Sequence, residues 1–505
     1  MSTVNVYRAG ELVASGAGTD GRTVLQQLGE LGVFLDAPCG GRGRCGKCLI
    51  RLSSDGEETR ACQTVISGDT DIYLPGEMRM EIAGDNSAAL SARDEAALGV
   101  AIDIGTTTVV AHLTSLATGR RIATASGVNA QRPYGADVIS RIQHCAANGH
   151  SQLTSLIRGQ LGELIARTCE SSGADPRRIR YVSIAGNTIM QHLAADLSPV
   201  GMGVAPFAPL SLFGEELPAW GGLDVAPDAR VYFAPSISSY VGGDITAGML
   251  ASGLENESGP CVYIDIGTNG EIAMKVGDKY YCCATAAGPA FEGAEISMGM
   301  AAVQGAVNHV FWEQNKLRYT TIGDAPAEGL CGSGLLDALA LLIRTGAVDE
   351  TGRLLPRDEA EGGIAEHLDT IDGKNVFLLS RERGVCMDYA DVRKLQLAKS
   401  AIAAGIQTLL IHAGVAERDV KSFILAGGFG SYMDKDSAAG IGLFPKSFLP
   451  VARSMGNTAG EGAALALCSS EARSQLSGIR ARCEYIELST SPVFNEQFIE
   501  QMMFE

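Results

Sequence analysis

"CVYIDIGTNGEIAM", Cys261 to Met274, reads as an apolar strand that runs into an Asp-Ile-Gly turn and returns as a second strand. A near-copy, "LGVAIDIGTTTVVAHL", occupies Leu98 to Leu113. One glycine-rich turn carries little information. Two at corresponding positions predict duplicated α/β halves that face a common cleft. In each hairpin a glycine, Gly105 or Gly267, lets backbone approach a phosphate, and Thr106, Thr107, Thr268 and Asn269 supply donors to its oxygens. Asp103 and Asp265 stand at the strand ends as candidate ligands for Mg²⁺, which prefers oxygen and keeps several waters. Glu271, with Asp103 and Asp265, forms the candidate catalytic set. Asp244 in "GGDITAG" is a second candidate for orienting water, and Asn187 in "AGNTIM" a candidate phosphate contact. For each acid the alternative is a helix cap or a pairing with a neighbouring base.

A third element follows the amphipathic helix "VRKLQLAKSAIAAGIQTLL", whose Leu395, Ala398, Ile402, Ile406 and Leu409 share one face. There "SFILAGGFGSY" is expected to be a strand ending in Gly427, Gly428 and Phe429, which bring backbone against an adenine or ribose. The order Asp-Gly hairpin, Asp-Gly hairpin, Gly-Gly resembles the actin-like ATPase superfamily of sugar and acetate kinases, heat-shock chaperones and actin. The resemblance implies ATP and Mg²⁺ as ligands. No G-x-x-x-x-G-K-[ST] motif occurs, so a P-loop enzyme is not indicated.

The front of the chain carries other chemistry. "APCGGRGRCGKC", Ala37 to Cys48, and "RACQT" place Cys39, Cys45, Cys48 and Cys62 in a C-x5-C-x2-C-x13-C pattern. Structural zinc sites usually pair two short knuckles, which this spacing lacks. A loop wrapping a two-iron cluster, with the fourth thiolate arriving separately, fits better, and the plant-type spacing is related. The loop glycines can turn N–H groups toward cluster sulfurs. "VNVYRAGELVAS" reads as a hairpin, "TVLQQLGELG" as a helix, and "CLIRL" and "DIYL" as strands, which suits an α+β β-grasp. Residues 38–64 resemble the [2Fe-2S] ferredoxin domains.

The expected organisation is a ferredoxin-like domain over residues 1–82, a linker over 83–98, and an actin-like ATPase in two subdomains, 99–258 and 259–505, the second ending in a tail. The linker segment, "AGDNSAALSARDEAAL", is small, polar and without apolar period. A chain of 505 residues exceeds what one core supports. Its formal net charge of −18 argues against nucleic acid, whose binding depends on Lys and Arg. With no leader pattern and no apolar run of membrane-spanning length, a cytoplasmic location is expected, and thirteen cysteines there suit metal ligation rather than disulfides.

The fusion narrows function further. "VSIAGNTIMQHL", "SISSYVGGDITAGML", "LAGGFGSYMD" and the tail "YIELSTSPVFNEQFIEQMMF" make the whole chain resemble the reductive activators of corrinoid proteins. That resemblance implies an ATP-dependent enzyme that returns inactive Co(II) corrinoid to Co(I), using a [2Fe-2S] cluster held by the four cysteines. It also implies a corrinoid-binding partner from a methyltransferase system, an upstream low-potential electron donor, and a homodimer. Two other readings are a small-molecule kinase with an accessory redox domain and a ferredoxin carrier with a regulatory docking module. Cys331, and the adjacent Cys282 and Cys283, are read as packing residues rather than ligands, and His144, His150 and His192 as surface or core histidines.

Overall fold

The computed structural model describes residues 2–8, 10–31, 33, 35, 37, 41, 43, 48–75, 97–314 and 316–504. Strands β1 (Ser2–Arg8) and β2 (Glu11–Gly18) form the expected hairpin. Helix α1 (Val24–Glu30) starts at a capping box: the Thr23 hydroxyl accepts from Gln26 N, and the Gln26 side chain accepts from Thr23 N. β3 (Leu49–Ile50) and β4 (Thr59–Arg60) make a short ladder, and β5 (Thr70–Leu74) joins β1 in parallel. Val4, Val6, Leu28, Ile50 and Ile72 close this core around Cys48 and Cys62. The strand expected over "CLIRL" is shorter than read, continuing only as an isolated exchange of backbone bonds between Arg51 and Tyr73. Most of the expected linker lies outside the described residues, and Leu98, its last position, opens the next strand.

That strand, β6 (Leu98–Ile104), begins the first half with β7 (Thr108–Ser115) and β8 (Arg121–Val128). Helices α2 (Val138–Asn148) and α3 (Ser151–Ser172) lead to β9 (Ile179–Gly186), α4 (Thr188–Ala194), β10 (Glu216–Pro218), β11 (Arg230–Phe233) and α5 (Gly243–Ala251). The sheet order is β10-β11-β9-β6-β7-β8. The second half repeats it. β12 (Cys261–Ile266), β13 (Gly270–Val276) and β14 (Lys279–Thr285) form the antiparallel meander. An insertion follows, with strands β15 (Ala306–Glu313), β16 (Lys316–Thr321) and β17 (Gly329–Leu330), helix α6 (Gly332–Arg344), and strands β18 (Leu368–Ile371), β19 (Lys374–Ser380) and β20 (Val385–Asp388). Then come α7 (Tyr389–Ala413), β21 (Ser422–Ala426), α8 (Gly427–Tyr432), α9 (Lys435–Gly440) and β22 (Ala452–Ser454), with α10 (Thr458–Cys468), α11 (Ser470–Arg482), β23 (Cys483–Tyr485) and α12 (Pro492–Glu500) completing the chain. Its sheet order is β22-β21-β12-β13-β14-β23.

In both sheets the first hairpin strand pairs in parallel with a strand that arrives through helices, β6 with β9 and β12 with β21. Such strands are covered on both faces, which is why "LGVAIDI" and "CVYIDI" are almost continuously apolar. Between the sheets lie α5 and α10, packed at small residues: Ala247 of α5 and Ala459, Ala463 and Ala466 of α10 share a core with Ala101 and Ala185 of the first sheet. A Cβ on Gly462 would collide with the Ala247 backbone, so the helices approach closely. The two hairpin turns consequently face each other.

Candidate active site between the two hairpins

The turns enclose a cavity of about 370 Å³, lined by Asp103, Thr107, Asp244, Asp265, Thr268, Glu271 and other residues of both halves. The sequence-predicted residues Gly105, Thr106, Asn187, Gly267, Asn269, Gly427, Gly428 and Phe429 also line it. The turns are similar without being identical. Ile104 pairs with Val109, whereas Ile266 pairs with Gly270, so the second turn is one residue shorter. Gly105 N donates to Thr108 O and Gly267 N to Asn269 O, both at 2.9 Å. Neither glycine is in the left-handed region; Gly105 is required because a Cβ would meet Thr108 O.

The first turn has its carbonyls held from behind. Asn129 Nδ2 donates to Gly105 O, Arg141 Nη2 to Thr106 O at 2.5 Å, and Asn129 N to Thr107 O. In a trans peptide the N–H points opposite to the C=O, so anchoring the carbonyls directs amides the other way. Arg141 has no exposed surface and also donates to Gly135 O and Gln131 Oε1. Burial pulls it down to about 9, opposed by Asp137 and Glu292.

Five acids line the cavity, and four of them, Asp103, Asp244, Asp265 and Glu271, are pushed above the ordinary carboxylate range. Burial and then Asp265 push Asp103 up to about 7, against a hydrogen bond from Asn457. Burial, Asp265 and Asp103 push Asp244 to about 8, and burial pushes Asp265 to about 6. Glu271, buried in β13 and bonded by Asn269 Nδ2 at 3.2 Å, is raised well above the usual carboxylate range by burial and then by Asp244 and Asp265. Asp103 and Asp265, which resist ionising together, suit a divalent cation reached through water, whose charge takes the place of their protons. Asn187 caps α4 through its Oδ1, and its Nδ2 is buried with no protein partner, a donor fitted to an anion in the cavity. The "SFILAGGFGSY" element differs from expectation: the strand stops at Ala426, and Gly427 to Tyr432 are helical. Gly427 has φ +85°, and a Cβ there would collide with Asp265 Oδ1. A helix start thus abuts the metal candidate, and Phe429 stacks on Phe291 at 5.3 Å.

Sequence reading missed Glu292. Its carboxylate accepts from Thr107 Oγ1 at 2.8 Å and from Thr268 Oγ1 at 2.9 Å, joining the two turns.

At the other end of the chain, Cys48 and Cys62 are buried in one core and tied by an Ala61 N to Cys48 O bond of 2.8 Å. Gly41 has φ +80° and stands with its Cβ position 3.8 Å from Cys62 Cβ, so the loop folds back on that thiol. Cys39 and Cys45 lie outside the described residues. Cys48 and Cys62, buried in one core beside the left-handed Gly41, are two of the four thiols such a cluster takes. Among the described residues no group of three or more His, Cys, Asp or Glu was found that could hold a metal ion.

Comparison with known proteins bears on both ends. A family model of the C-terminal domain of RACo, the ASKHA domain, matches residues 259–505, and one of the RACo middle region matches 98–257. The chain is 31% identical to a corrinoid activation enzyme, RamQ, of Eubacterium limosum, over 94% of this chain and 95% of that one. The chain belongs to the RACo family. A [Co(II) methylated amine-specific corrinoid protein] reductase of Methanosarcina barkeri is 24% identical, over 80% and 77% of the two chains. A solved RACo-type structure, a reductive activator for corrinoid, iron-sulfur protein, superposes with a TM-score of 0.73 at 29% identity, covering 100% of this chain and 98% of that one. The ASKHA assignment makes the second half of this RACo-family chain, residues 259–505, an actin-like domain.

Other residues take the quieter roles expected of them. Cys282 packs into one core and Cys283 into another, on opposite faces of β14. Cys331 donates to Val307 O. His192 is fully buried, its Nδ1 on Thr188 O, and His144 is held by Gln152 at the surface. No helix among the described residues is long and apolar enough to cross a membrane.

Proposed function

We infer that this RACo-family chain is an ATP-dependent reductive activator that passes one electron from a [2Fe-2S] cluster to the inactive Co(II) corrinoid of a partner protein, restoring Co(I) for methyl transfer. The observation that carries the reading is the convergence of two phosphate-type turns on four acids, in a chain whose relatives are named for corrinoid activation. Asp103 and Asp265 would hold Mg²⁺, with Asp244 and Glu271 orienting water. Thr106, Thr107, Thr268, Asn269 and Asn187 would bind phosphate, and Gly427, Gly428 and Phe429 the nucleoside. Cys39, Cys45, Cys48 and Cys62 would hold the cluster in a β-grasp ferredoxin domain, an assignment favoured by the β2-β1-β5 sheet with α1.

When bound, the cluster supplies one electron at about −400 mV and Mg²⁺ offsets phosphate charge. An acceptor roughly 100 mV lower makes that transfer uphill by about 2.3 kcal/mol. Ligand binding offsets this only by favouring one conformation over another. The chain is built for such a shift, because its cleft is lined from both sheets and the helices between them, α5 and α10, meet at small side chains. The reading includes a cytoplasmic location, a homodimer and an upstream low-potential donor. The test mixes reduced, cluster-loaded protein with Co(II) corrinoid protein under anaerobic conditions and follows Co(I) absorbance. More Co(I) with Mg-ATP than without is expected; equal yields refute coupling.

A further inference from the structure

We propose that Glu292 is an internal stand-in for the terminal phosphate, and that its eviction makes the cleft distinguish a nucleoside triphosphate from a diphosphate. The inference rests on the reading of the cleft as a nucleotide site. Thr107 and Thr268 come one from each turn, and their hydroxyl oxygens are 3.5 Å apart. Each hydroxyl has a single proton to donate, and both are given to the Glu292 carboxylate, at 2.8 and 2.9 Å. An anionic phosphoryl group that takes the same two protons cannot share the place with a carboxylate, because neither anion can donate to the other and their charges repel at short range. A group read by both turns at once is the end of the phosphate chain, where the two halves converge. A diphosphate lacks it and leaves Glu292 where it is.

The surroundings give the displaced side chain a mechanical link. Glu292 closes a short 3₁₀ turn, Pro289–Glu292, pinned by Gly293 N to Ala290 O and Ala294 N to Pro289 O bonds. Its neighbour Phe291 stacks on Phe429, which also lines the cavity. Five residues on, Ser297 N donates to Asp391 Oδ1 at 2.8 Å, in the first turn of α7. Movement of Glu292 thus pulls on the Phe429 wall and on a 25-residue helix.

The test compares wild type with Glu292→Gln, a variant of equal size that leaves no charge between the threonines. Titration calorimetry with Mg²⁺ and either ADP or a non-hydrolysable ATP analogue is expected to show the analogue bound about tenfold more tightly by the variant, with ADP within about twofold. In wild-type protein, hydrogen exchange at the Gly293 and Ala294 amides is expected to rise with the analogue and not with ADP. Unchanged or weaker analogue binding by the variant, equal tightening of both ligands, or exchange insensitive to the analogue would each overturn the proposal. Wild type binding neither nucleotide would instead refute the nucleotide reading of the cleft.

Discussion

Replacing Asp103 by Asn removes one of the five acids that line the cavity. In the folded chain Asp103 is pushed from 3.8 to about 7, Asp244 to about 8 and Asp265 to about 6. One unit is about 1.4 kcal/mol between protonation states, so ionising Asp103 in the fold costs on the order of 4 kcal/mol relative to the unfolded chain while its neighbours are charged. Because the folded values lie above the unfolded ones, the protonated acids leave stability intact below about pH 4. It is lost progressively as pH rises above about 4 and through the folded values of about 6 to 8, levelling off beyond them. Metal-free wild type is therefore expected to melt lower at about pH 8.5 than at about pH 5.5, and Asp103→Asn to show a shallower loss. At the higher pH the variant should be more stable by on the order of 1–3 kcal/mol, less than the full cost because the Asn amide is itself a buried polar group. Mg²⁺ competes with protons for the same oxygens, so it should raise the wild-type melting temperature more at the higher pH. Calorimetric melts at both pH values, with and without Mg²⁺, read all of this. Equal pH slopes in the two proteins, or a Mg²⁺ shift independent of pH, would refute the picture of mutually repelling acids awaiting a cation.

Gly427→Ala places a side chain at φ +85° against Asp265 Oδ1, and nucleotide affinity measured by titration is expected to fall at least tenfold while circular dichroism stays native. Arg141→Met leaves the carbonyls of Thr106 and Gly135 without their donor, and a stability loss of about 3 kcal/mol should appear in denaturant melts, together with weaker phosphate binding. Cys62→Ser removes a thiol from the buried pair with Cys48; anaerobic reconstitution should then give much less visible absorption than wild type, while nucleotide binding is unchanged. Removing the last five residues takes the carbonyls of Gln501, Met502 and Met503 from Ser400, Gln396 and Lys399 of α7 respectively, and a loss of about 2–4 kcal/mol is expected in thermal melts.

Local patterns carried the hairpins. Alternation breaks at "DIGT" in both copies, and a strand covered on two faces is apolar throughout, so Asp103, Asp265 and the turn residues were legible from the chain alone. Asn187 reads in the sequence as a candidate phosphate contact, while its capping of α4 shows only in the structure; the cysteine spacing was legible because it is local in sequence. Gly427 was found but misplaced, because a glycine pair marks the end of a strand equally well whether a loop or a helix follows.

Glu292 and Arg141 left no comparable signal. An acid in "GPAFEG" and a base on an amphipathic helix look like ordinary solvated residues, and their importance comes from partners 185 and 35 positions away. The sequence alone determined the duplicated hairpin pattern, the residue types of the turns and the spacing of the cysteines, since each is written in short-range order. Only the tertiary structure decided that the two turns face each other, that five acids line one cavity where Asp265 raises the proton affinity of Asp103, Asp244 and Glu271, and that a carboxylate bridges both threonines. Those properties depend on distances through space, which chain order does not specify.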